Sequence, residues 1–507
     1  MDNYAIFQGL LFDREMRKSH DSRGLRTQEK QLLSSLRKYH FLLGPLIFLG
    51  TLLIPTSLES QAQQFLAIFL LVVWLWIFTE VPLFISGILG VSLSTLFGLV
   101  SPKEALAPFA DPIIFLFLSG FLFAKALEHT GLDEYLAHVV MGHKRVKRDP
   151  KLIVLAFFFL AFFCSMWISN TASVAMLLPL SFGVIKNLKQ NFGIESEAFN
   201  EKLLLGLAYS ATIGGNVTPI GSPPNLVAIG FLRNLQGYEI SFLKWILMAT
   251  PLSLFLFYVV YRRCISDLPE TTKNESLKGH MEEVRDLNTK QRNVLWLFGI
   301  TILIWILPSI LGLFSEQGSS FSLFLKKNLS TAMIGVLFSS LLFLFPLNRA
   351  EKILSSDDIS GIDWGSLLLF GSGLSLGAIL FKTGLAEVFA GQLSSLGTFL
   401  SPVVILLLFI LVTIFFTEVA SNTASANIII PIMIAFAAKT SLDTTVTTFA
   451  MAIACNSAFM LPVATPPNVI VYGSHRVKKM SMIQFGWRLN FLAFAIISAY
   501  IVVLNLF

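Results

Sequence analysis

From residue 41 to residue 507 the chain keeps returning to apolar runs long enough to cross a bilayer. A hydrocarbon interior supplies no hydrogen-bond partners, so only helices and closed barrels span it. Runs of about 20 apolar residues select the helix. We place spans near 41–57, 62–78, 82–100, 113–129, 203–232, 243–264, 293–314, 329–346, 366–382, 446–475 and 486–507. Two further stretches, 152–186 and 401–438, are each either a span pair or a re-entrant hairpin. Charged residues make up 13% of the chain, about half the usual share of a soluble domain. No enzyme-like soluble domain fits between the spans. The first 40 residues are polar and of mixed charge, with no short apolar core before small residues, and are read as a tail. Cys164, Cys264 and Cys455 show no metal-ligand spacing and are expected to be buried thiols.

Charge decides the topology. With both stretches as hairpins and the N-terminus cytoplasmic, 29 of the 37 Lys and Arg fall on the cytoplasmic side and 6 on the other, with Lys125 and Lys382 inside spans. That bias is the positive-inside pattern, and it disposes of the nucleic-acid reading that a basic chain invites. The expected architecture is therefore all-α and polytopic, with about eleven transmembrane helices plus two hairpins. The N-terminus is placed in the cytoplasm and the C-terminus outside. One hairpin opens from each side of the membrane, so their tips meet near the midplane.

Both hairpins carry the same polar triplet, Ser169-Asn170-Thr171 in the first and Ser421-Asn422-Thr423 in the second. Polar side chains at membrane depth need partners that lipid cannot supply. Other landmarks repeat in the same order. Phe117-Leu-Ser-Gly120 and Thr130-Gly131-Leu132 recur as Phe370-Gly-Ser-Gly373 and Thr383-Gly384-Leu385, at an offset of 253. Gly-Ser-Pro-Pro-Asn at 221–225 recurs as Ala-Thr-Pro-Pro-Asn at 464–468. Opposite predicted orientations make this an inverted-topology repeat, an architecture that places substrate and coupling ions between the repeats at broken helices.

The chemistry of these segments follows from their residue types. Proline removes a donor and clashes with the preceding turn, so spans 203–232 and 446–475 are interrupted. Gly214, Gly215 and Gly221 relax the first break further. An unwound stretch offers carbonyls to a cation and a fresh helix N-terminus to an anion. Hydroxyls, carboxamides and carbonyls are hard oxygen ligands suited to Na⁺ or to carboxylate hydrogen bonds. A simple proline kink, or helix–helix glue, would not require the same elements at both repeat positions. An intramembrane enzyme is the remote alternative, argued against by what is missing: there is no His-Glu-x-x-His, no acid pair at midplane, and all seven histidines map to the tail, loops or span ends. A channel fits less well than alternating access.

Paired Ser-Asn-Thr hairpins, each followed by a broken helix with Pro-Pro-Asn, resemble the divalent anion/sodium symporter family of di- and tricarboxylate and sulfate transporters. The resemblance runs from about residue 41 to the end. It implies sodium-coupled symport of a C4-dicarboxylate such as succinate, malate or fumarate by an elevator-type motion in a homodimer. The cell's inner or plasma membrane is the implied location. It also implies a substrate site of Ser169, Asn170, Thr171, Ser421, Asn422, Thr423, Thr465 and Pro466. At least two Na⁺ sites are implied. Ser165, Ser169, Asn170 and a glycine carbonyl form the first; Gly221 is taken by symmetry with Ala464, with Gly214 or Gly215 as alternatives. Thr417, Ala420, Asn422 and Ala464 form the second. On the same resemblance the chain divides into a cytoplasmic tail (1–40), first-half scaffold helices (41–130), first-half transport elements (131–264), a cytoplasmic linker (265–292), second-half scaffold helices (293–384) and second-half transport elements (385–507).

The predicted site contains no Lys or Arg although its ligand is a dianion. Bound Na⁺ must then supply the positive charge, and substrate affinity should depend steeply on it. The absence of a basic residue at the sodium ligands also argues against the alternative of a sodium-independent exchanger; a proton-coupled carrier and a citrate or sulfate symporter are further alternatives. Glu418, beside Thr417, either tunes the second cation site, binds a proton or faces water above the tip.

Overall fold

The computed structural model describes residues 42–143, 145–266, 268, 286–313, 328–344, 352–395 and 399–506. The predicted tail, most of the cytoplasmic linker and segments 314–327 and 345–351 lie outside the described residues. The first half comprises α1 (Leu42–Leu53), α2 (Ser60–Phe78), α3 (Leu83–Leu96), α4 (Pro112–Thr130), α5 (Leu132–Gly142), α6 (Pro150–Ser165), α7 (Asn170–Phe192), α8 (Glu197–Gly214), α9 (Pro223–Gln236) and α10 (Phe242–Ile265). The second comprises α11 (Thr289–Leu313), α12 (Thr331–Leu344), α13 (Trp364–Lys382), α14 (Leu385–Ser395), α15 (Pro402–Phe416), α16 (Asn422–Ala438), α17 (Thr444–Asn456), α18 (Pro466–Gly473) and α19 (Lys479–Leu506). No strand occurs among the described residues.

Seven described helices are long and apolar enough to cross a membrane on their own. The shorter apolar ones include α6, α15 and α16. The two ambiguous stretches are both helix–turn–helix: α6 and α7 turn at 166–169, α15 and α16 at 417–421. Both interrupted spans are broken where the Pro-Pro pairs stand. The prolines, however, lie in the first turn of α9 and α18 and so start the second segment. There the missing N–H costs nothing, and the fixed φ is already helical. The unwinding itself falls just upstream, at 215–222 and 457–465.

The repeat is visible in the joints as well. Gly131 (φ +63°) and Gly384 (φ +74°) turn the chain in the left-handed region between α4 and α5 and between α13 and α14. Glycine is the residue that adopts this conformation without strain. The halves also exchange partners. Helix α9 packs on α16 and α17 of the second half, while α18 packs on α7 and α8 of the first. Buried aromatics stitch this crossing: Tyr209 of α8 meets Phe459 at 5.4 Å, and Trp245 of α10 meets Phe449 of α17 at 5.2 Å. All three cysteines are buried, and none forms a disulfide.

Symmetry stops at the hairpins' outer faces. Helix α16 lies against α13 and α14 as well as α9 and α17. Helix α7 packs on α6, α8 and α18 and has no comparable packing with α4 or α5, the repeat mates of α13 and α14.

Candidate functional site

Each Ser-Asn-Thr triplet starts a helix. Ser169 is the N-cap of α7, with extended backbone angles, and its hydroxyl accepts from the Ala172 N–H at 3.1 Å. Ser421 is the N-cap of α16 and makes no such side-chain bond. Asn170 and Asn422 are the first helical residues, and each side chain reaches back across the tip. Ser165 Oγ lies 2.5 Å from Asn170 Oδ1, and Thr417 Oγ1 lies 2.7 Å from Asn422 Oδ1. Ser165 and Thr417 are both fully buried. The same pair of oxygens, a hydroxyl and a carboxamide five residues apart, is thus built twice.

Backbone carbonyls complete the first group. A Cβ on Gly215 would stand 2.3 Å from Asn170 Oδ1 and 3.0 Å from the Gly221 carbonyl. A Cβ on Gly221 would stand 2.6 Å from the Gly215 carbonyl and 3.0 Å from that of Ser165. The tip and the first break meet here so closely that no side chain fits at either glycine. Gly214 instead lies against the Phe162 carbonyl in α6. Of the three glycines considered, Gly215 and Gly221 therefore adjoin the tip oxygens.

In the second half Thr417 Oγ1 also lies 2.8 Å from the Cys455 carbonyl near the end of α17. Ala420 lies buried in the turn. Ala464 and Thr465 stand where the same break enters α18, and Thr465 caps that helix by accepting from the Asn468 N–H. Pro466 is its first residue. Thr171 is exposed and Thr423 half-buried.

The arrangement gathers four helix N-termini, those of α7, α9, α16 and α18, with oxygen-rich groups and no Lys or Arg among the tip and break residues. Helix N-termini attract anions through unpaired N–H groups and the helix dipole. Neutral oxygen clusters suit a hard monovalent cation. A cation seated at either pair would take both oxygens as ligands, and the hydroxyl proton would turn away.

Four buried polar residues, Glu418, Asn225, Asn468 and Asn456, hold the breaks in place. Glu418 is 1% exposed, so it does not face water. Its carboxylate accepts from the N–H groups of Phe459, Met460 and Leu461 at 2.7, 2.7 and 2.8 Å and from Asn490 Nδ2 at 2.6 Å. Four donors occupy its two oxygens and staple the second break to the second tip. The corresponding place in the first half is held differently: Thr218 Oγ1 donates to the Met166 carbonyl. The asparagines of the Pro-Pro-Asn elements brace each break at identical spacing. Asn225 Nδ2 donates to the carbonyls of Gly215 and Thr218, ten and seven residues back, and Asn468 Nδ2 to those of Ala458 and Leu461, also ten and seven back. Asn456 joins Asn225 from the other repeat. The motif marked Asn225 and Asn468, whereas nothing in the sequence around Asn456 singled it out.

The model of the sodium:sulfate symporter transmembrane region matches residues 36–505. The chain is 31% identical over 497 residues to the sodium-dependent dicarboxylate transporter SdcS of Staphylococcus aureus strain USA300, covering 94% of this chain and 92% of that protein. The protein of the same name from strain NCTC 8325 / PS 47 matches with the same identity and coverage. Among solved structures, the crystal structure of the Alcanivorax borkumensis YdaH transporter is similar in fold, with a TM-score of 0.52 at 17% identity over 82% of this chain and 88% of that one.

Proposed function

Because the chain belongs to the sodium:sulfate symporter family, we propose that it is a secondary active transporter that carries a C4-dicarboxylate together with Na⁺. The observation that carries this reading is the twice-built oxygen pair, Ser165 with Asn170 and Thr417 with Asn422. Two neutral oxygen clusters beside converging helix N-termini form a site that binds an anion well only when cations are present. The dicarboxylate itself rests on the S. aureus relatives, which are named sodium-dependent dicarboxylate transporters. In this reading Ser169, Asn170, Thr171, Ser421, Asn422, Thr423, Thr465 and Pro466 hold the substrate. Ser165, Ser169, Asn170 and the Gly221 carbonyl hold one Na⁺, with the Gly215 carbonyl beside them. Thr417, Ala420, Asn422 and the Ala464 carbonyl hold the other.

Transport follows by moving hairpins and broken helices as one body past α1–α4 and α11–α13 in a homodimer. What supports that motion is the unequal packing of the two hairpins. The one pressed against α13 is closed, and the one free of α4 is open, so the site faces the side from which the first hairpin enters. Charge counting makes that side the cytoplasm.

The test is uptake of radiolabelled succinate into proteoliposomes with and without a Na⁺ gradient. Uptake should require Na⁺, and uptake unaffected by its removal overturns the reading. Asn170→Ala and Asn422→Ala should each lower Na⁺-driven uptake by roughly 10–100-fold, since each deletes a ligand to a charged group worth about 1.5–3 kcal/mol. Near-normal uptake in both variants removes the site assignment.

A further inference from the structure

The two oxygen pairs are joined by one buried polar chain, and it crosses the repeat boundary. Starting at the first break, the Gly215 and Thr218 carbonyls accept from Asn225 Nδ2 at 2.9 and 2.8 Å. Asn225 Oδ1 accepts from Asn456 Nδ2 at 2.9 Å, and Asn456 Oδ1 accepts from Ser222 Oγ at 2.7 Å. Asn225 and Asn456 are fully buried and Ser222 nearly so. The orientation of both carboxamides is forced. Two carbonyls face Asn225 on one side, so its nitrogen must lie there and its oxygen must face Asn456. The residue before Asn456 is Cys455, whose carbonyl faces Thr417 Oγ1 at 2.8 Å.

Thr417 provides the two-state element. Its hydroxyl has one proton and two acceptors within reach, Asn422 Oδ1 and the Cys455 carbonyl. A cation held between Thr417 Oγ1 and Asn422 Oδ1 removes the first choice, so the proton goes to Cys455 and fixes the end of α17. Asn456 is then held where it braces Asn225. Asn225 in turn aims the Gly215 and Thr218 carbonyls of the break that adjoins Asn170, and Thr218 Oγ1 donates to Met166 in the first tip. This chain has no repeat mate. At the offset of the Pro-Pro-Asn elements, the residue corresponding to Asn456 is Ile213, and Asn468 Oδ1 is buried without a partner.

We propose that Asn456 is a positioning residue that couples the two cation sites, so that filling one pre-forms the other. The proposal rests on the sodium-coupled reading above. Its test is the Na⁺ dependence of succinate uptake in wild type and Asn456→Ala. It is paired with a second readout without substrate, the Na⁺-induced rise in unfolding temperature in detergent, because a ligand that binds only the folded state stabilises it in proportion to its occupancy. Wild type should show sigmoidal Na⁺ activation with a Hill coefficient approaching about 2, the number of coupled sites. In Asn456→Ala the coefficient should fall toward about 1. The half-saturating Na⁺ concentration should rise roughly tenfold, as expected for one lost buried hydrogen bond. The KM for succinate at saturating Na⁺ should move far less, which a general loosening of the fold would not produce.

An unchanged Hill coefficient and Na⁺ midpoint in Asn456→Ala overturn the coupling while leaving sodium symport standing. Non-sigmoidal activation in wild type also overturns it. Wild-type uptake that ignores Na⁺ overturns the underlying reading itself. If Asn456→Ala does not fold, Ser222→Ala, which only releases the Asn456 oxygen, should shift the Na⁺ midpoint about threefold in the same direction. No shift in that variant overturns the proposal equally.

Discussion

The second arms of the two hairpins begin with the same five residues, Ser-Asn-Thr-Ala-Ser, and lie in different surroundings. Helix α16 is buried along nearly its whole length, from Ala424 to Ala437, with only Ile432 half-buried. Helix α7 exposes Thr171, Ala172, Ala175, Pro179, Gly183 and Lys186, residues spaced to form one face. That face is small and polar at its end, suited to water and substrate more than to lipid. At the matching position of Ala175 the second hairpin has Asn427, pressed so closely on α13 that a Cβ on Gly373 would stand 2.1 Å from Asn427 Oδ1. A Cβ on its repeat mate Gly120 would meet nothing nearer than Ile220 Cβ, at 3.7 Å. One sequence pattern is thus packed in two different ways within a single molecule.

The largest expected effect sharpens the contrast at the tips. Glu418→Gln puts an NH₂ group among four donors; with its oxygen kept at the Oε1 position, it leaves the Leu461 N–H of the second break unpaired and facing that NH₂. It should destabilise the protein by about 3 kcal/mol, the scale for breaking a buried charged network. Met166→Leu at the corresponding place should cost under about 1 kcal/mol, because the first half uses only a backbone carbonyl there and the side chain changes little in volume. Thermal unfolding in detergent checks the pair, and equal losses would mean the two breaks are held alike.

Next in size is the glycine pair. Gly373→Ala should disfavour this conformation by about 1–3 kcal/mol through overpacking against Asn427. Gly120→Ala, whose methyl would touch only Ile220 at ordinary contact distance, should leave this conformation within about 0.5 kcal/mol. On the alternating-access reading proposed above, the two changes should shift conformational populations in opposite directions. Distances between spin labels on α2 and α8 would report the populations; a shift in the same direction for both variants breaks the comparison.

The smallest effect is kinetic. Cysteine placed at Ala175 should react with a water-soluble maleimide on the order of tenfold faster than cysteine at Asn427, since reactivity follows exposure and the native thiols are buried. Similar rates would show that the hairpins do not differ in access.

Much of this was legible beforehand because it depends on local chemistry. Apolar length marked the helices, and the Pro-Pro pairs marked where α9 and α18 begin. The paired triplets marked the tips, while Gly131 and Gly384 stood out only as repeat landmarks and were shown as joints by their left-handed backbone. Each of these is a property of a residue and its neighbours in the chain. Ser165 and Thr417 came with the family resemblance, and it is the non-helical turn at each tip that brings them to Asn170 and Asn422. Glu418 was conspicuous as a membrane carboxylate but its role was open, because the three N–H groups that surround it lie 41 to 43 residues away.

What only the tertiary structure decided is how the equal halves are made unequal. Asn456 is an ordinary polar residue near a helix end until α17 packs on α9 and brings it to Asn225, 231 residues earlier. Which hairpin is covered and which is open is likewise absent from two nearly identical pentapeptide contexts. Sequence determines which segments bury, break and cap, since those energies are set by a residue's own side chain and nearest turns. Contacts across hundreds of residues, and the choice between two packings of one repeat, arise only when the halves are laid against each other.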